Sequence, residues 1–191
     1  MSGYNEDHVI EIINADSAAS TPAASSAPKR KLFRHQCYGL SEDKIASTTI
    51  GSSTWPMDAH LQSVDAGTLS TLEARKVQFY KVGSMLSFKT TLSNGMTSEF
   101  QGQSGATKTS GTAEIPSGSC RQIKIQASQN WLNGIKFCDA SGNMLSQCMG
   151  DSGVGDWHTI ALGQNESFVG FHEWHDKDNY IRRVGIITLR P

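Results

Sequence analysis

No stretch of the chain approaches the ~20 consecutive apolar residues of a membrane-spanning helix, and the opening residues hold no apolar core of the secretory kind. An excess of one charge is missing too. Lys and Arg number 17 against 18 Asp and Glu, a formal net charge of −1. That balance removes the broad basic footprint of a nucleic-acid-binding domain and leaves at most a local patch. Cys37, Cys120, Cys138 and Cys148 form no C-x-x-C pair, and no histidine stands at zinc-finger spacing from them. These absences set the expectation of a soluble, cytoplasmic chain with no cofactor, no metal site and no nucleic-acid partner. Its cysteines are expected as buried free thiols. One alternative stays open, because Cys138 and Cys148 flank a single turn, and a disulfide across that hairpin would imply an oxidising compartment.

What the sequence has instead is turns. Its 18 glycines, beside many Ser and Thr, suit short strands joined by tight connections. The most legible part lies between Arg121 and Asn143. Ile123, Ile125 and Ala127 alternate with Gln122, Lys124 and Gln126, the period of a strand with one buried face. Trp131 to Cys138 is a second apolar run, and Asp139-Ala140-Ser141-Gly142-Asn143 supplies the chemistry of a hairpin loop. Upstream, Val77 and Phe79 alternate with Gln78 and Tyr80; Leu86, Phe88 and Leu92 share a face, and Ser93-Asn94-Gly95 closes a hairpin. Downstream, strands are expected over 144–149, 157–162, 167–172 and 180–189, with a polar loop from Glu173 to Asn179. About ten strands at roughly 8–12-residue spacing make an all-β sandwich, barrel or prism.

Residues 1–35 read as a disordered tail or linker and 36–191 as the β domain. The tail carries an apolar island, His8 to Ile13, suited to adding a strand or docking on a partner. An Ala-, Ser-, Thr- and Pro-rich stretch follows that cannot bury enough surface to offset chain entropy. The basic cluster Lys29-Arg30-Lys31 reads as a solvated flank or as a nuclear address. Residues 40–75 are the least legible. There Ser70-x-x-Glu73 fits a helix capping box, and the same residues fit a strand entering the sheet.

Three segments approach known chemistry. Cys148-Met149-Gly150-Asp151-Ser152-Gly153 resembles the nucleophile segment of trypsin-like proteases, but His60 lacks the neighbouring cysteine of that family, and a glycine-rich turn accounts for the residues. Gly102 to Thr109 misses a phosphate-binding loop by its second glycine. His172-Glu173-Trp174-His175-Asp176-Lys177-Asp178 is the densest polar constellation. Its histidines are three apart, not the four a zinc-protease helix needs, and Ile181 stands where an EF-hand requires glycine. It reads as a solvated loop or as a ligand-capture loop, since carboxylates and imidazoles hydrogen-bond sugar hydroxyls and an indole stacks on a pyranose face.

Gly134-Ile135-Lys136-Phe137, the run Glu166 to Phe171 and Val184-Gly185-Ile186 together resemble the jacalin-like β-prism lectins over about residues 76–191. The resemblance implies a β-prism of three Greek-key sheets, with the first and last strands sharing one. It also implies a glycan or glycoprotein as partner and no enzymatic activity. The family's sugar-ligating aspartate aligns on Arg182, which cannot accept hydroxyl protons. Sugar contacts are therefore expected from Glu173, Trp174, His175, Asp176, Asp178 and Asn179. The alternative is a non-catalytic assembly module that has lost sugar binding and contacts other proteins, or copies of itself, through sheet edges and the tail.

Overall fold

The computed structural model describes residues 9–10, 30–39, 52–53, 69, 71–82, 85–98, 111–129, 131–150, 153–175 and 181–191. Thirteen strands follow in chain order: β1 (Val9–Ile10), β2 (Lys31–Arg34), β3 (Tyr38–Gly39), β4 (Ser52–Ser53), β5 (Ala74–Val82), β6 (Met85–Leu92), β7 (Gly111–Glu114), β8 (Gln122–Ala127), β9 (Leu132–Cys138), β10 (Met144–Met149), β11 (Asp156–Ala161), β12 (Ser167–His175) and β13 (Ile181–Arg190). They form three antiparallel sheets, ordered β1-β2-β13-β12-β4 with β3 also on β13, β10-β9-β8-β11, and β6-β5-β7. Among the described residues no helix is long and apolar enough to cross a membrane.

The alternation read from the sequence is the alternation that packs. Ile123, Ile125 and Ala127 of β8 are buried, as are Phe88 and Leu92 of β6 and Val77 of β5. Phenylalanines join the sheets along the axis. Phe88 stacks on Phe171 at 4.9 Å, Phe171 meets Phe168 edge-on at 5.1 Å, and Phe168 lies 5.6 Å from Phe137, so one aromatic column touches all three sheets. The hairpin at Ser93-Asn94-Gly95 closes as expected, with Leu92 N–H donating to the Met96 carbonyl at 2.8 Å.

The sheet built on β12 and β13 differs most from expectation. β1 pairs with β2 through Val9 and Ile10, and β2 pairs with β13 from Leu32–Leu189 to Arg34–Ile187. The apolar island therefore adds a strand, and the sheet takes in residues on the tail side of the 35/36 boundary. β12 runs on through His175, so Glu173, Trp174 and His175 are strand residues and not loop residues. Their backbones are claimed from both sides, with Glu173 opposite Val184 and Ser53 and Trp174 opposite Arg183 and Ser52.

Around Ser70-x-x-Glu73, Leu72 N–H bonds the Leu69 carbonyl and both leucines are buried. The chain then enters β5 directly. Glu73 accepts from the Ser117 hydroxyl and, at 3.0 Å, from the Gly118 N–H, tying β5 to the turn after β7. Cys138 faces Met144, whereas Cys148 faces Ile135, three residues along the strand and on its other face. That separation of about 10 Å forbids a bridge, and all four cysteines are free thiols.

Candidate functional site

The two ends of β12 and β13 carry the polar clusters of the described residues. At the Ser167 end, Glu166 is 4% exposed. Its Oε1 accepts from His35 Nε2 at 2.9 Å, from Arg190 Nε at 2.8 Å and from the Thr188 hydroxyl, while Oε2 takes the Gly163 N–H at 2.8 Å. Burial alone would raise this carboxyl, but the donors outweigh it and hold it down at about 2. Arg190 lies over the Phe33 ring at 3.4 Å, and Arg30 of the basic cluster donates to the Asn165 carbonyl at 2.8 Å and the Ser167 hydroxyl at 3.1 Å. A small cleft of about 60 Å³ runs past Arg121 and Glu166 to Glu73. This end is stapled shut.

The other end bears the residues the sequence nominated. Trp174 and His172 occupy the outer face of β12 and are half-buried, while Phe171 and Glu173 point to the core and are buried. Glu173 is thus removed from the surface a ligand would meet, because the strand's period puts it on the face of Phe171. His175 is placed as the last residue of β12. Asp176, Asp178 and Asn179 lie outside the described residues, as do His60, Ser152 and the phosphate-loop-like segment 102–109.

Between Arg34, opposite Ile187, and Tyr38, opposite Val184, the N-terminal strand spends four steps against three on β13. The extra residue is a bulge, a device that re-aims side chains. It swings the His35 carbonyl and the Cys37 thiol over β13 at Gly185. A Cβ on Gly185 would collide with the His172 ring and the His35 carbonyl oxygen, so the closing glycine of the β-prism rhythm is where these groups cross. Gly134, the other glycine of that rhythm, similarly leaves room for Met149 and Trp157.

The result is a cluster. His172 Nε2 donates to the His35 carbonyl at 2.7 Å, and Cys37 Sγ lies over the same ring, 3.4 Å from Nδ1 and 3.9 Å from Nε2. Burial pushes the Cys37 thiol up to about 12, although Arg183 and Arg34 pull the other way. Burial, with Arg34, His35 and Arg183 nearby, pushes His172 down to about 4. Both groups are neutral at physiological pH. Arg183 donates to the Cys37 carbonyl at 3.3 Å, and the guanidinium of Arg182 lies over the Trp131 ring at 4.0 Å, joining the β8–β9 connection to the start of β13. Tyr38 stacks on His158 at 4.3 Å. Cys37, Tyr38 and Trp131 were not legible as site residues, since Cys37 and His172 are 135 positions apart and a bulge leaves no mark in hydropathy.

No protein-family model matches the chain, and a search of curated proteins returns no match. Solved structures do match. A lamprey immune protein superposes with a TM-score of 0.51 at 16% identity over 83% of this chain and 44% of its own, so the chain spans under half of that protein. A mannose-binding jacalin-related lectin from Ananas comosus gives 0.48 at 16% identity, covering 84% of this chain and 98% of its own. Calystegia sepium agglutinin gives 0.41 at 18% identity over 61% and 82%. At these identities the likeness is one of fold. The chain is all-β, built of three antiparallel sheets, and shares its fold with the lamprey immune protein over the superposed residues.

Proposed function

We propose that the chain is a non-enzymatic glycan-binding module whose ligand meets the prism end formed by Trp131, Trp174 and Arg182. The observation that carries the reading is the place of Trp174, whose half-buried indole is held on the outer face of β12, opposite Arg183 of β13. An indole so held offers apolar ring surface at fixed orientation, which is what stacking on a pyranose demands. His175, Asp176, Asp178 and Asn179 follow it directly in the chain and supply acceptors and donors for sugar hydroxyls. Glu173 is read as support from beneath, not as a contact.

A glycan-array screen of the purified protein, followed by titration, tests this. Trp174→Ala should weaken binding at least about fivefold, since a stacked aromatic is worth about 1 kcal/mol beyond its area. Asp178→Asn should weaken it by removing a charged acceptor. A folded wild type that ignores every glycan would sink the reading.

The second reading, an assembly module, has its own observation. β11 has β8 as its one described partner, and four of its six residues are exposed. Met144 and Trp157 are also exposed, at 54% and 36%. An open strand edge beside apolar surface accepts a strand from another protein or a second copy.

A further inference from the structure

We propose that the outer face of the β10-β9-β8-β11 sheet is a second binding surface, and that its occupant is an acidic polysaccharide chain held by Lys124 and Lys136. That the polyanion is a sugar rests on the glycan-binding reading; that the face takes a polyanion does not. Ile123 and Ile125 are buried, so Lys124 between them projects outward, and directly opposite it on β9 stands Lys136. Side chains so opposed have their Cβ atoms about 4.5–5.5 Å apart, and like charges in that position are destabilising. Among the described residues neither lysine has a carboxylate at ion-pair distance. The other outward positions of the four strands, read from their register, hold no Asp or Glu. Asp156 stands opposite Ala127 and so belongs to the inner row, and both Asp139 carboxylate oxygens are taken by Asn143 at 2.9 Å.

The two ammonium groups turn away from each other. Lys136 Nζ lies over the Trp157 ring, 4.3 Å from its centre, while Lys124 Nζ reaches the opposite way, to 3.9 Å from where a Cβ on Gly142 would stand. Splayed like this they do not close on one small ion, and they fit a chain that carries its negative groups apart. The same face offers partners to sugar hydroxyls. Gln147 and Trp157 are exposed and Gln122 is half-buried, giving amides that donate and accept and an indole for a sugar ring. Gln126, opposite Trp157, donates to the Gly153 and Gly155 carbonyls at 2.7 and 3.1 Å, which pins the entry to β11 and with it the indole. Nucleic acid suits the face less. A duplex carries one charge per about 1.7 Å of its axis, a density that two lysines on a chain of net charge −1 do not match.

The test is titration of the whole chain with a sulfated polysaccharide, a polyuronate, neutral dextran, a single-stranded oligonucleotide and anionic phospholipid vesicles. Each is run at low salt and at about 1 M, where the screening length falls to about 3 Å. One or both acidic polysaccharides should bind at low salt and be released at high salt, and the arm that binds tells sulfate from carboxylate. Lys124→Gln and Lys136→Gln should each weaken that binding about threefold, the span of an exposed ion pair, and the double variant about tenfold. Lys124→Gln should also leave the urea midpoint unchanged or higher, because a repulsion goes with it. A clear fall in that midpoint would make Lys124 a support of the fold and overturn the proposal. So would acidic polysaccharides that fail to bind, that bind the double variant as well as wild type, or that bind no better than dextran, the oligonucleotide or the vesicles. Trp174→Ala should leave this binding unchanged, so a failure here falls on the outer face alone and the prism end keeps its own test. Loss of the acidic chain in Trp174→Ala would move it to the prism end and overturn the outer face.

Discussion

β12 and β13 carry opposite chemistry at their two ends. At the Ser167 end one buried carboxylate takes four donors from His35, Thr188, Arg190 and Gly163, so the segment after β2, the end of β13 and the turn before β12 are held together. At the Trp174 end neutral groups gather, the Cys37 thiol over the His172 ring and that ring donating to the His35 carbonyl, and the Trp174 indole stays half-exposed. A carboxylate saturated by donors has nothing left for a ligand, whereas a half-exposed indole still has its ring. The first end is built for stability and the second for contact.

The sharpest way to break that division is Glu166→Gln. The amide leaves Arg190, 37% exposed, and His35, 12% exposed, without the buried carboxylate they share, and losing charge-assisted hydrogen bonds costs about 1.5–3 kcal/mol. Urea denaturation at pH 7 should show the loss, with glycan affinity of the remaining folded protein unchanged. Affinity falling in step with stability would mean that the two ends are not separate.

How much of this was legible divides along the same strands. β8 was readable because Ile123 and Ile125 keep a clean period on its buried face, and β9 because it is buried along nearly its whole length and reads as one apolar run. β12 reads as polar past His172 because its outer face carries His172 and Trp174 while Glu173 is buried on the inner one, inverting the usual pattern. β2 was hidden because its partner β13 lies at the far end of the chain and four residues are too few to show a period, whereas β1 was open in the apolar island His8 to Ile13. Trp174 could be named from composition, but its place on the outer face of a strand could not.

Acid should strike both ends with the same sign. His172 is held at about 4 against an ordinary 6.5, so between those values the unfolded chain binds a proton the folded one refuses, and stability falls as pH drops. Glu166, at about 2 against 4.5, contributes stability that is complete above 4.5 and lost as pH falls toward 2. Denaturation midpoints across pH 7 to 3 should decline throughout. His172→Gln should flatten the upper part and Glu166→Gln the lower, and a profile flat in wild type would refute both.

Gly185→Ala should cost about 1–3 kcal/mol, the range for overpacking, because the added methyl meets the His172 ring and the His35 carbonyl. It should also disturb His172, whose Nε2 donates to that carbonyl. Destabilisation with undisturbed His172 ring resonances would show that the bulge can shift without its passengers.

The smallest expected effect on stability is at Arg182, and it is the most informative about sugar. Its guanidinium over Trp131 is a surface cation–π pair worth about 0.5–1 kcal/mol, so Arg182→Ala should barely lower the melting temperature. By the sequence resemblance to β-prism lectins, Arg182 is proposed to stand where that family places a hydroxyl-accepting aspartate. Arg182→Asp restores a carboxylate there, and both variants uncover the Trp131 ring. A gain in hexose affinity shared by the two would credit the ring. A gain confined to Arg182→Asp would credit the carboxylate and place the sugar within hydrogen-bond reach of the start of β13. If neither variant gains, a ligand at this end leans on Trp174 and the residues that follow it, and the arginine at the start of β13 ties two connections together without touching sugar.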